Sequence, residues 1–149
     1  ESNGVEAEGF WQATENLRLM ANTTYAKARN AITGDRIPNA PDWTGSIGFD
    51  YDRALGESFM LTSNGSVDWR SEVTYQQDPN AAVRGEAFTT LNASVGIADA
   101  DGAWELSLIG QNLTDENSAS FAYPTPFVQA SSATSEMPRT IALQLRLWH

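Results

Sequence analysis

Between Thr140 and His149 every second residue is aliphatic: Ile141, Leu143, Leu145 and Leu147 fall on one side, and Thr140, Ala142, Gln144, Arg146 and Trp148 on the other. Successive side chains of a strand point to opposite faces, so this stretch predicts a strand with one purely aliphatic face. The same period recurs upstream. Thr89, Leu91, Ala93, Val95 and Ile97 oppose Phe88, Thr90, Asn92, Ser94 and Gly96. Phe59, Leu61, Val67 and Trp69 alternate with Ser58, Thr62, Asn64, Ser66 and Asp68, and Trp43, Ile47, Phe49 and Tyr51 with Thr44, Ser46, Asp50 and Asp52. Leu17, Leu19, Ala21 and Tyr25 stand against Arg18, Asn22 and Thr24, Trp104, Leu106 and Leu108 mark a further segment over 103–112, and Val5 to Gln12 forms a weaker one. The helical spacing of i, i+3, i+4, i+7 never persists, so the chain reads as all-β with about seven antiparallel strands.

Strand length and loop rhythm narrow the class. Each segment approaches the roughly 9–11 residues that cross a bilayer at a tilt, longer than the usual soluble strand. The connections at 13–16, 54–57 and 99–102 are tight and rich in Gly, Asn and Asp. Between them fall long ones, 30–42, 71–86 and 113–138, which hold all six prolines and so cannot continue as central strands. Short turns on one rim and long loops on the other predict up-and-down strands of a transmembrane β-barrel, with periplasmic turns and extracellular loops. Trp11, Tyr25, Trp43, Phe49, Tyr51, Phe59, Trp69, Trp104 and Trp148 lie largely near the expected strand ends, as interfacial girdles do. The odd strand count implies two open edges, each a row of unpaired backbone groups that lipid does not tolerate, so alone the chain should aggregate, oligomerise or fold differently.

Composition excludes other classes. A net charge of −10 with only nine Lys and Arg argues against a nucleic-acid partner, which needs a basic patch. With no Cys there is neither a disulfide framework nor a thiolate metal site. The N-terminus lacks a basic segment followed by an apolar one, so any secretion signal lies outside the chain, which reads as a piece of a longer protein. The single His is the last residue, so no His-based catalytic triad is expected, and no catalytic residue, metal or cofactor is assigned. Asp99, Asp101 and Gly102 lack the further ligands of a calcium loop and read as a turn. Asn-x-Ser/Thr sequons at Asn22, Asn64, Asn92 and Asn112 fall within or at the ends of strands and read as accidental. The alternative is a soluble β-sandwich, a carbohydrate-binding module with Trp and Tyr as stacking platforms, which requires Ile141, Leu143, Leu145 and Leu147 to be buried against a second sheet.

Several short motifs add a resemblance. Gly110-Gln111-Asn112-Leu113-Thr114-Asp115 looks like the strand-to-loop element of TonB-dependent outer-membrane receptors, and Pro138-Arg139-Thr140 opens a last strand of the expected length. Ser2-Asn3-Gly4-Val5-Glu6 followed by Trp11-Gln12 and Asn16-Leu17 is similar to a strand pair of that family, and Ile37-Pro38-Asn39-Ala40-Pro41 resembles one of its loop ends. The ordered set covers essentially the whole chain, as the C-terminal part of such a barrel with the plug domain absent. One departure is that these barrels finish on an aromatic in phase with the lipid-facing residues, whereas here His149 holds that phase and Trp148 is out of register.

The resemblance implies a parent barrel of about 22 strands in a Gram-negative outer membrane. It further implies a plug domain and TonB as partners, and uptake of a scarce nutrient: a ferric siderophore, haem, cobalamin, a nickel chelate or an oligosaccharide. The lipid bilayer is the other expected partner, and a small-molecule or oligosaccharide ligand would meet the long loops. Phe121, Tyr123, Phe127 and Gln129 in the third loop offer aromatic and polar contacts for a cyclic or glycan ligand. Tyr75 and Arg84 in the second offer similar ones.

Overall fold

The computed structural model describes residues 1–75, 84–125 and 131–148. Among these residues eleven strands follow one another: β1 (Ser2–Gln12), β2 (Leu17–Ala28), β3 (Trp43–Leu55), β4 (Phe59–Arg70), β5 (Val73–Thr74), β6 (Arg84–Gly85), β7 (Phe88–Asp99), β8 (Trp104–Gln111), β9 (Ala119–Pro124), β10 (Ser131–Ser135) and β11 (Thr140–Leu147). Seven of them make one antiparallel sheet in the order β1-β2-β3-β4-β7-β8-β11, each strand beside its neighbour in the chain once the loop strands are passed over. The up-and-down expectation holds. The two remaining pairs, β5 with β6 and β9 with β10, are hairpins inside the second and third long loops. Neither pair is legible in the sequence, because each of its strands is short and carries no alternation of large apolar residues.

The register carries the alternation across the whole sheet. Trp11, Leu19, Phe49, Gly65, Ala93, Gly110 and Ile141 are directly opposed from strand to strand and lie on one face. The adjacent row, Gln12, Arg18, Asp50, Asn64, Ser94, Ile109 and Ala142, lies on the other. A slip of one residue would exchange the faces, so the sequence fixes register wherever the faces differ this much. Asp68 joins Asp50 and Asp52 on the polar face, as expected, and Glu105 lies there too.

Among the described residues no second layer covers the apolar face. Ile141, Leu143, Leu145 and Leu147 are 60–72% exposed, and Ile47, Val95, Ile97 and Leu108 are exposed as well. A sandwich requires the four aliphatic residues of β11 to be buried, so their exposure removes that alternative. An exposed apolar surface this continuous is a lipid- or partner-facing one. The aromatics bound it: Tyr25 packs on Trp43 with ring centroids 4.6 Å apart near the long loops, and Phe59 meets Trp104 at 6.1 Å near the short turns. At about 3.3 Å per residue and a tilt near 40°, the stretch of β4 from Phe59 to Trp69 rises roughly 25 Å, the height of a barrel's apolar band. Phe49 is the exception among the expected girdle residues: it lies midway along β3 over Gly65, whose missing side chain makes room for the ring. Trp148 follows β11 in the polar-face phase and its N–H donates to the Ala103 carbonyl at 3.0 Å, while His149 lies outside the described residues.

The short turns are built as their sequences require. Gly56 and Gly102 take φ of 72° and 77°, a region other residues rarely enter, at the β3–β4 and β7–β8 reversals. Asp99 closes its turn through its side chain, whose Oδ2 accepts the Ala103 N–H at 3.2 Å. Among the described residues the buried apolar cluster is small, Val73, Tyr75 and Ala122, and it sits in the long loops rather than in the sheet.

Candidate functional site

The three long loops lie on one rim and are joined to each other. The first, between β2 and β3, begins with Asn30, whose Oδ1 accepts the N–H groups of Ile32 and Thr33 at 2.9 and 3.3 Å, a side-chain turn typical of Asn. Its tip exposes Ile32 almost completely, at 95%. Its base is held by Asp42, which is 13% exposed and pairs with Arg36 at 2.6 Å and Arg29 at 3.4 Å. Arg36 also reaches Glu72 at 3.2 Å, and the Asn39 N–H donates to the Thr74 carbonyl at 2.9 Å, so the first loop is tied to the second.

The second loop is tied to the third through Tyr75 and Arg70. Tyr75 is 4% exposed, with its ring against Gly85, where a Cβ would meet the ring's Cζ at 2.8 Å; its hydroxyl donates to the Ala119 carbonyl. Arg70, the last residue of β4 and in the polar-face phase, donates from Nη2 to the Tyr75 hydroxyl at 3.3 Å, Ser118 Oγ at 3.3 Å and the Ala119 carbonyl at 3.1 Å. Its guanidinium also lies over the Phe88 ring, 4.5 Å from the centroid. One side chain thus connects β4, β7 and two loops. Planar, multi-donor arginine suits such a junction better than lysine would.

The third loop is closed by Asn112, which is 7% exposed and has φ of 48°. Its Nδ2 donates to the carbonyls of Glu116 at 2.8 Å and Met137 at 3.0 Å, and its Oδ1 accepts the Glu116 N–H at 3.0 Å. The beginning and end of the loop are therefore clamped by one amide. The Asn112 N–H in turn donates to Asn92 Oδ1 at 3.0 Å, and Asn92 Nδ2 donates to Asp68 Oδ2 at 2.9 Å, which anchors the clamp on the polar face of the sheet. Asp115, at φ 58°, pairs with Arg139 at 3.0 Å across the same loop. Between this loop and the polar face opens a cavity of about 300 Å3, lined among others by Phe88, Asn92, Gln111, Glu116 and Glu136.

Of the residues expected to meet a ligand, Tyr123 is exposed in β9 and Arg84 is exposed in β6. Phe121 stands in β9, paired across the hairpin with Thr134. Phe127 and Gln129 lie outside the described residues. Tyr75 is buried among the loops, so a ligand reaches it only if they part. Arg70, Phe88 and Ser118 were not singled out from the sequence. The available signal was an arginine ending a strand on the polar side, beside the girdle residue Trp69. Among the described residues no group of three or more His, Asp or Glu gathers in a way that could hold a metal ion.

A family model described as TonB dependent receptor-like, beta-barrel, matches residues 1–113. The chain belongs to this family. Its members are transport receptors rather than enzymes, and their barrels are outer-membrane proteins. The solved structures agree on the fold. The ferric yersiniabactin uptake receptor FyuA from Yersinia pestis superposes with a TM-score of 0.87 at 18% identity, over 98% of this chain and 23% of that one. The ferric preacinetobactin receptor BauA and the siderophore receptor PiuA, both from Acinetobacter baumannii, each superpose with a TM-score of 0.74 at 18% identity, over 97% of this chain and 21% of theirs. The chain therefore spans less than a quarter of the length of these receptors. No curated protein matches it. Within the family's architecture the exposed aliphatic face is the outside of the barrel wall, and the face carrying Arg18, Asp50 and Asn92 is its polar inside.

Proposed function

We propose that the chain is a C-terminal stretch of the barrel wall of a TonB-dependent receptor in a Gram-negative outer membrane. The parent takes up a scarce nutrient, with a plug domain in the lumen and energy delivered through TonB. The observation that carries the reading is the two-faced sheet with its long loops gathered on a single rim: lipid outside, water and ligand inside, capture at one end. Among the nutrient classes we place ferric siderophores first, because the structurally similar receptors are siderophore receptors. Haem, cobalamin and oligosaccharides follow.

Ligand contacts fall on the loop rim. Tyr123 and Arg84 present exposed side chains, Phe121, Phe127 and Gln129 belong to the same third loop, and Tyr75 stands behind them as part of the tie between loops. The test is growth of a strain carrying the full-length parent under iron limitation, with single ferric siderophores as the iron source. Growth that is lost on deleting the receptor gene and on inactivating TonB is the expected result. Growth restored equally by unchelated iron and unaffected by TonB would overturn the transport reading.

A further inference from the structure

The lipid-facing side of the sheet is not uniformly covered. On its β1–β4 flank the side chains Ala7, Gly9, Ala21 and Thr23 are small, and an apolar groove of about 420 Å3 opens among them, bounded by Ile47 and Trp69. The Trp69 ring makes one wall because it leans over Gly45, where a Cβ would meet ring Cε2 at 2.6 Å. Along the same face of β2, toward the long loops, come Tyr25 and then Lys27. Tyr25 and Trp43 pack with tilted rings, centroids 4.6 Å apart, and Lys27 Nζ stands 5.7 Å from the Tyr25 centroid. Lys27 is the one lysine of the chain, is exposed, and makes no ion pair with a described residue. The neighbouring Arg29 and Arg36 are both committed to Asp42. In a chain of net charge −10, a cation with no ion pair among the described residues therefore stands on the groove's face, on the same strand and toward the long loops.

The spacing fits a lipid. From Thr23 to Lys27 the strand rises about 13 Å at 3.3 Å per residue, or about 10 Å along the membrane normal at a tilt near 40°. The headgroup layer on each side of the hydrocarbon core is roughly 5–8 Å deep. An ammonium at the level of lipid phosphates thus sits over a groove at the level of the upper acyl chain. Small residues let a methylene chain approach the backbone closely and gain dispersion contacts that bulkier neighbours prevent.

We propose that the groove is a binding site for one lipid with a net anionic, phosphate-bearing headgroup in the leaflet on the long-loop side, with its phosphate on Lys27 and an acyl chain between Ala21 and Trp69. The inference rests on the membrane-barrel reading. Its test uses the full-length receptor in mixed micelles with dipalmitoyl phosphatidylglycerol or dipalmitoyl phosphatidylcholine, with retained lipid counted by native mass spectrometry. One phosphatidylglycerol should be retained with about fivefold preference over the zwitterionic lipid, the size of one basic residue's attraction at a membrane surface. Lys27→Gln should abolish the preference and Lys27→Arg keep it. Ala21→Phe or Gly9→Leu should fill the groove and lose both lipids, whereas Leu143→Phe, on β11, should change nothing. Each variant is first checked for a folded barrel by heat-dependent gel mobility. Preference that survives Lys27→Gln, or retention that survives both groove fillers in folded barrels, overturns the lipid site. A parent receptor that does not insert into vesicles as a barrel overturns the membrane reading itself.

Discussion

Arg70 shows how one residue can decide whether a rim of loops acts as a unit. Its three hydrogen bonds and its stacking on Phe88 converge from two strands and two loops. Bonds made by a charged donor are worth about 1.5–3 kcal/mol each, and a partly desolvated cation–π contact adds about 1 kcal/mol. Arg70→Ala in the full-length receptor should therefore leave the sheet intact and release the second and third loops from each other. Hydrogen exchange should show faster exchange at 73–75 and 118–122 with unchanged protection in β3 and β4. Unchanged exchange in both loops would mean that the apolar cluster of Val73, Tyr75 and Ala122 holds them without the arginine. Asn112→Ala should act on the third loop alone, since it removes the amide that bridges Glu116 and Met137. It also places alanine at a φ of 48°, which adds backbone strain of about 1 kcal/mol. Faster exchange at 115–118 and 136–138, with 73–75 unaffected, separates this clamp from the arginine junction.

At the scale of elements, the seven sheet strands were legible because each one displays the difference between lipid and water at every second residue. β11 needed nothing more than Ile141, Leu143, Leu145 and Leu147. The weak signal at β1 has a physical cause: its small residues Ala7 and Gly9 face the groove and carry little hydropathy. The loop hairpins were illegible for a related reason. β9 and β10 are held by backbone pairing and by cross-loop bonds such as Ser135 to Asn117, so composition rather than pattern is all that the sequence displays there. The site suffered the same way. Aromatic residues in a loop could be noticed, but the partners of Arg70 are 48 and 49 residues away at Ser118 and Ala119 and no local pattern joins them. The two faces can be tested on adjacent positions of one strand. Leu143→Arg puts a charge on the lipid face midway along β11 and should cost about 2–4 kcal/mol in reversible unfolding from vesicles. Ala142→Arg, on the polar face, should cost well under half of that. Equal costs at the two positions would contradict the assignment of faces.

For the whole molecule, the unpaired sheet edges dominate. β1 and β11 are the outer strands of the sheet, with 11 and 8 residues, and each presents a row of N–H and C=O groups with no sheet partner among the described residues. In hydrocarbon each unsatisfied group costs several kcal/mol, which no side-chain contact on this sheet offsets. In water the edges are satisfied, but the aliphatic face is not, and a flat edge beside such a face is a template for further strands. The isolated chain thus has no solvent in which both problems are solved, whereas a closed barrel of which the sheet is a stretch, as proposed above, pairs both edges. The purified chain in plain buffer should elute as large, polydisperse β-rich assemblies in size-exclusion chromatography, and micelles should shift it to smaller species without producing a single sharp monomer. A sharp, monomeric, β-rich peak in plain buffer would mean that the aliphatic face finds cover within the chain, and then the sheet described here is not the one the isolated chain adopts.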